Sequence, residues 1–449
     1  MLESKTIDMT DDKPVRLMVR FALPLLFVNV LSMLFTVIDS AVLGRILGVN
    51  AFAAVGATAS PHWLIFSFML GIMQGFGVLF AQRFGSKDHT GLRRAVRTSV
   101  VLTAAISTLV AVGYPLLCRP LLELLRTPAE LMDDAALYLN VFFAGAPITF
   151  AYNLAGTLLR SLGDSKTPLR AAVLATLLNI ALDFALVLPF GVAGVSAATL
   201  ISQLVACVYC FPTLRRTGYL GGDGWHWDTP TARELLRLSI PLGLRNVIIE
   251  TGGLIVQWYT NDFGTVFVAG TAAARRMYTL LLVAGGAVEA AVSTFVAQNA
   301  GARKWARVKR GVNYGLLMML AAGAFAMAIT LPFGRQILGL FIEGDAPEVV
   351  TAVLDIGVRQ LTLFSLGLPI LSLLFIYRSS LQGVGNSLIP MLSGFVELVT
   401  RMATVILLTP SFGQWGVLLS SPTAWVTATV LLLVSYYVVA SGFEKRKVV

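Results

Sequence analysis

From Leu17 onward, one apolar run after another is long enough to cross a lipid bilayer, and only short polar stretches separate them. A span needs about 20 mostly apolar residues rising about 1.5 Å each. Twelve such runs can be read, at 17–44, 51–82, 95–118, 133–160, 168–190, 192–213, 236–260, 265–297, 311–333, 353–379, 387–408 and 414–441. Inside hydrocarbon no water satisfies the backbone, so runs of this length must be helices. Composition agrees. Only 13 % of the 449 residues are charged, against about 25 % in a soluble domain. No cleavable signal peptide is expected, because the run from Leu17 continues past the length of a signal core. The expected fold class is an all-α integral membrane protein of twelve transmembrane helices.

The net charge of +10 does not call for nucleic acid. In a multi-span chain, Lys and Arg collect in cytoplasmic loops. Here they gather after even-numbered spans, in "QRFGSKDHTGLRRAVR", "RSLGDSKTPLR", "LRRTGYLGGDGWHWDTPTARELLR" and "GARKWARVKR". The opposite loops hold only Arg45, Arg119, Arg126 and Arg335. This bias predicts a multi-pass protein of a bacterial cytoplasmic membrane with both termini in the cytoplasm.

The chain also repeats itself. "VLFAQRFGSKDHTGLRRAV" (78–96) matches "TFVAQNAGARKWARVKRGV" (294–312) at an offset of 216, aligning Gln82, Gly85 and Arg94 with Gln298, Gly301 and Arg310. "LGDSKTP" (162–168) matches "VGNSLIP" (384–390) at an offset of 222, and Gly194 with Gly416 keeps that offset. Two matches in one order imply a duplication. The predicted organisation is a six-helix lobe over 1–214, a cytoplasmic linker over 215–235 and a second six-helix lobe over 236–449. Six spans return the chain to its starting side, so the pseudo-twofold axis between lobes is expected along the membrane normal. That architecture suits alternating access around a central cleft.

Several chemistries lack their residues. There is no G-x-x-x-x-G-K-[S/T] loop for ATP. Cys207 and Cys210 form a C-x-x-C inside an apolar span and read as an incidental i,i+3 pair. His62, His89 and His226 lack metal spacing, and "DGWHWD" (223–228) reads as a polar loop with interfacial Trp. No nucleophile with a base appears at membrane depth, so no enzyme is expected. "GSKDHTGLRR" (85–94) departs from the G-x-x-x-D-R-x-G-R-R loop of major facilitator transporters.

Chemistry-bearing residues inside spans are few. "LNIALDFALVL" (178–188) places Asn179 and Asp183 at i and i+4, on one helix face. Asp39 lies in the outer part of span 1, at a depth these two can share. A carboxylate in a bilayer is functional by default. Two brought together without a cation raise each other's proton affinity. Such a pair holds protons, or holds a cation between its oxygens; the amide oxygen suits sodium equally. Pro24 removes one backbone hydrogen bond low in span 1. In the second half, Glu250, Arg275, Arg276, Glu397 and Arg401 lie in spans 7, 8 and 11. Glu397 and Arg401, at i and i+4, are expected to pair structurally. Glu250 is expected either to partner Arg275 or Arg276 or to face cargo.

"FTVIDSAVLGRILGVNAFAAVG" (35–56), the two A-Q-x-x-G loop entries, "LRSLGDSKTPL" with "LNIALDF", and "GVAGVSAATLISQ" (191–203) together resemble the multidrug and toxic compound extrusion (MATE) family. The resemblance runs from about Pro24 to the last span, and its first half is DinF-like. It implies a coupling-ion site at Asp39, Asn179 and Asp183, with Tyr138, Asn153 and Ser202 as supporting members. It also implies a bendable span 1 hinged at Pro24. Glu250 resembles the span 7 acid of NorM-like members, but their span 10 acid is missing from "LPILSLLFIYRSS" (368–380). The implied function is multidrug efflux: a secondary antiporter exporting amphipathic, cationic organic compounds in exchange for H+ or Na+. The alternative is a lipid-linked oligosaccharide flippase of the same superfamily. The expected partners are a small-molecule substrate and membrane lipid, with no cofactor beyond the coupling ion and a monomeric chain.

Overall fold

The structure, a computed structural model, describes residues 7–125, 127–221, 227–342 and 346–445, with side chains for all but 35–37, 40–42, 444 and 445. Arg126, His226, the start of "DGWHWD" and both chain ends lie outside the described residues. Among the described residues, fourteen helices follow one another: α1 (Pro14–Ile46), α2 (Val49–Ala57), α3 (Ala59–Gly85), α4 (His89–Leu124), α5 (Ala129–Ala144), α6 (Ala146–Ser161), α7 (Lys166–Phe190), α8 (Val192–Arg216), α9 (Thr229–Asn261), α10 (Gly264–Gly301), α11 (Trp305–Gly339), α12 (Pro347–Gly383), α13 (Leu388–Phe412) and α14 (Gln414–Lys445). There is no strand among the described residues. Among the described residues, eleven helices are long and apolar enough to cross a membrane, and α5 with α6, bent by 51° at Gly145, makes the twelfth span. The twelve apolar runs of the sequence are these spans. The short α2 is the one element the reading at 51–82 merged with its neighbour.

The duplication is visible in the backbone. Lys87 and Arg303, 216 residues apart, both adopt positive φ, at 59° and 56°. Gly163 and Gly385, 222 apart, sit at 84° and 88°. At Gly163 a side chain would also meet the carbonyl of Ile7, 2.1 Å from the Cβ position. The residues that follow cap the next helix in both copies. Asp164 Oδ1 accepts from the backbone N of Lys166 and Thr167 at 3.0 and 2.9 Å, and Asn386 Oδ1 accepts from Ile389 N at 3.1 Å. The "GDS" and "GNS" matches are therefore the same device: a left-handed turn followed by an oxygen that satisfies amides at a helix start.

The chain divides into two compact units. The first contains Met1–Met9 and Leu23–Gly243, the second Thr10–Ala22 and Leu244–Val449. Thus α1 begins in the second unit and continues in the first, and α9 does the reverse. The changeover lies within three residues of Pro24 in α1 and of Pro241 in α9. Close backbone approach holds the start of α9 in the first unit. Cβ atoms at Gly71 and Gly75 of α3 would fall 2.5 Å from Gly243 and 2.3 Å from Ser239. Small residues at this spacing let membrane helices pack on their backbones.

Candidate functional site

In the first unit, three helices deliver polar groups to one buried point. The aliphatic run of α7 puts Asn179 and Asp183 on the face it buries, and both are 0 % exposed. Asp39, partly buried on α1, completes the group. The Asn179 amide nitrogen donates to Asp39 Oδ1 at 2.9 Å and to Asp183 Oδ2 at 3.2 Å, while its oxygen accepts from Thr199 N on α8 at 3.3 Å. The two carboxyls lie within hydrogen-bonding reach of each other. Asp183 Oδ1 is buried and no donor meets it.

This arrangement has one amide donor serving two acids, and one oxygen left over. An unpaired buried carboxylate oxygen is costly, and a proton between the acids is the least expensive remedy. Two carboxyls and one amide thus converge on a point whose unmet oxygen a proton or a hard cation can fill.

The supporting members divide. Tyr138 lies on α5 within electrostatic reach of both Asp39 and Asp183, with its carbonyl accepting from Ser196 Oγ at 2.9 Å. Asn153 donates instead to Thr149 O at 2.8 Å, and Ser202 to Ala198 O at 2.7 Å, both within their own helices. The α8 residue that meets Asn179 is Thr199, one turn from Ser202 in the same "GVSAATLISQ" segment. Pro24 lies inside a continuous α1.

In the second unit, Glu397 and Arg401 approach to 3.6 Å. The closer partner of Glu397 is Arg378 on α12, a hydrogen-bonded pair whose side chains are 5 % and 4 % exposed. Arg378 sits in the "FIYRSS" segment and was legible as a lone arginine in an apolar run. Arg245 on α9 and Glu289 on α10 were legible on the same ground and were also missed. Arg245 is 5 % exposed and lies within electrostatic reach of Glu289, Glu397 and Arg378. Glu250 and Arg275 lie within reach of each other, and Arg276 is exposed. Glu289 makes no salt bridge among the described residues, so acids without a bound basic partner are not confined to the first half. No group of three or more His, Cys, Asp or Glu among the described residues forms a metal site.

The profile of the MatE family matches residues 24–185 and 241–407, one block in each half of the duplicated chain. The chain belongs to the MatE family. This MatE protein is 27 % identical to the "Probable multidrug resistance protein YpnP" of Bacillus subtilis, over 92 % of both chains. It is 25 % identical to the "FAD transporter" of Shewanella oneidensis, covering 94 % of this chain and 93 % of that one. Its fold is that of a MOP superfamily transporter from Pyrococcus furiosus, with a TM-score of 0.90 over 98 % of this chain and 99 % of that one, at 19 % identity. The MatE family is one of multidrug efflux transporters, not enzymes.

Proposed function

We propose that this chain is a secondary antiporter that exports amphipathic organic compounds from a bacterial cytoplasm in exchange for protons or sodium. The observation that carries the reading is the Asp39–Asn179–Asp183 group, where one amide bridges a partly buried and a fully buried acid and one acid oxygen has no donor. A positive species fills that deficit and is the coupling ion. Cargo and ion bias the first unit towards different conformations, and exchange follows from their differential affinity for the two states. Pro24 is the point at which α1 can bend when Asp39 changes its charge. Acidic groups favour cationic cargo, and the relatives include proteins named for multidrug resistance and for FAD transport. The chain works as a monomer in the lipid bilayer, with both termini cytoplasmic.

The test is transport by the full chain in proteoliposomes under an imposed proton or sodium gradient, with a fluorescent organic cation as cargo. Wild type is expected to accumulate the cation under one of the two gradients, and Asp39→Asn to lose that response. Equal gradient-driven uptake by both proteins overturns the assignment.

A further inference from the structure

Two cations of the second unit close on the chain just before α1. Lys304, at the N-cap of α11, donates from Nζ to Thr10 O at 2.9 Å and to Asp11 Oδ1 at 3.0 Å. Arg307 Nη2 donates to the next two carbonyls, Asp11 O at 3.1 Å and Asp12 O at 2.9 Å. Two side chains thus hold three consecutive carbonyls and one carboxylate. The guanidinium is itself fixed. Its Nε donates to Asn299 Oδ1 at 3.0 Å, and Asn299, which is fully buried, donates in turn to Phe295 O at 2.8 Å. Arg307 Cζ lies 5.7 Å from the centroid of the Phe295 ring, a cation–π contact. The held segment is constrained as well: Thr10 is buried, and Asp12 adopts a φ of 62°. Left-handed backbone at a residue other than Gly persists where its surroundings impose it.

The first unit does the same at the matching turn with different residues. Asn299 is the counterpart of Arg83 at the offset of 216. Arg83 pairs through Nη1 with Asp88 at 2.9 Å and through Nη2 with Glu234, in the second turn of α9, at 2.8 Å. In each copy, the turn after the second span therefore fastens the start of a helix that changes unit: α9 within the first unit, α1 within the second. Pro24 and Pro241, beside the two changeovers, are 217 residues apart and hold matching places. Exposed ion pairs add little stability. A guanidinium oriented in advance and aimed at backbone carbonyls fixes position instead.

We propose that Lys304 and Arg307 are an anchor. They keep the base of α1, residues 14–22, in the second unit throughout the transport cycle, while the remainder of α1, with Asp39, moves with the first. A helix held at one end and carried at the other must bend, and Pro24, which lacks a backbone N–H, is the place of least resistance. A change of charge at Asp39 then reaches the second unit as a force on a fixed end, not as a swing of the whole helix. Arg83 with Glu234 anchors α9 in the first unit in the same way, about Pro241. The role of Asp39 rests on the transport reading; the anchoring of residues 10–12 does not.

The test has two readouts. Hydrogen exchange of the full chain in detergent, followed by mass spectrometry, reads the anchor with no gradient. Arg307→Ala, and separately Lys304→Gln, is expected to speed exchange in residues 10–18 roughly ten-fold and to leave α7 unchanged. Unchanged exchange at residues 10–18 overturns the proposal whether or not the chain transports. Gradient-driven uptake of a fluorescent organic cation in proteoliposomes reads the lever. Arg307→Ala is expected to retain equilibrium binding of the cation and to lose roughly ten-fold in uptake. Asp11→Cys with Lys304→Cys separates an anchor from a latch that must open. Uptake is expected to be weak in this double variant and restored when a short bismaleimide joins the two thiols, since the base of α1 need not detach. Uptake abolished by the join, or undiminished in Arg307→Ala despite faster exchange, overturns the proposal. If wild type accumulates no cation under either gradient, the transport reading fails and the exchange readout still decides the anchor.

Discussion

Asn179 and Asp183 meet across one turn of α7, the amide nitrogen of the first 3.2 Å from Oδ2 of the second, and the same nitrogen reaches Asp39 Oδ1 on α1. One side chain thus links the two acids of different helices. Asn179→Leu removes the donor while keeping the number and branching of the side-chain heavy atoms. Gradient-driven uptake is expected to fall at least ten-fold. The two buried acids also lose a hydrogen bond, which costs about 1–3 kcal/mol. Initial uptake rates in proteoliposomes and thermal unfolding in detergent read the two effects separately. Unchanged uptake would remove Asn179 from the coupling site.

Glu397 holds two arginines, and Arg378 is as buried as the acid itself. Glu397→Gln leaves both cations without a counter-charge, and breaking a buried pair in this way costs about 3–5 kcal/mol. Replacing both members of the closer pair, as Arg378→Met with Glu397→Met, removes one of the two stranded charges as well as the closer bond. The double variant is therefore expected to be more stable than Glu397→Gln alone. Thermal unfolding midpoints in detergent compare the two, and a less stable double variant would show that the pair contributes net stability.

Asp88 closes the turn between α3 and α4. Its Oδ1 accepts from Gly91 N at 2.8 Å, and its other oxygen pairs with Arg83 at 2.9 Å. The Gly91 amide first, and the Arg83 guanidinium after it, hold the carboxyl below its ordinary value. A depressed carboxyl stabilises the fold above its unfolded pKa, and the contribution is lost as pH falls through the folded one. Asp88→Ala is expected to cost about 1 kcal/mol at neutral pH, the usual worth of a helix cap. The difference from wild type should shrink as pH drops below 3.8. A Cβ at Gly91 would lie 2.0 Å from Asp88 Oδ2. Gly91→Ala should therefore disturb the same cap, and a gap between Asp88→Ala and wild type that persists in acid would contradict its electrostatic part.

Gly75 of α3 has no room for a side chain beside Ser239 of α9, where a Cβ would approach backbone to 2.3 Å. Gly75→Val is expected to destabilise the chain by roughly 1–3 kcal/mol or more through overpacking. Gly113, with nothing within 4 Å of its Cβ position, supplies the control: Gly113→Ala should be tolerated. Expression level and unfolding midpoint distinguish them, and equal stability of Gly75→Val and Gly113→Ala would contradict the close contact.

Arg378 and Thr199 show where sequence reading stops. Both lie in largely apolar stretches, and the sequence assigns neither a role. Arg378 carried a usable sign, because a lone arginine in an apolar run needs a partner, but nothing in "FIYRSS" names Glu397 on another helix. Thr199 carried no such sign, since hydroxyls occur on most turns of α8 and any of them can satisfy itself on its own helix, as Ser202 does.

The order and number of spans, their division into two matching halves, the match of Gly163 with Gly385 and the i,i+4 placement of Asn179 and Asp183 were all determined by sequence. The reason is physical: hydrocarbon permits only helices of a fixed length, and helix pitch is constant along the chain. Which of those helices bring charges together was decided only by tertiary structure. Asp39 with Asn179 and Arg378 with Glu397 join residues of different helices. Rotation and depth of each helix are set by packing against its neighbours, and no local pattern encodes them.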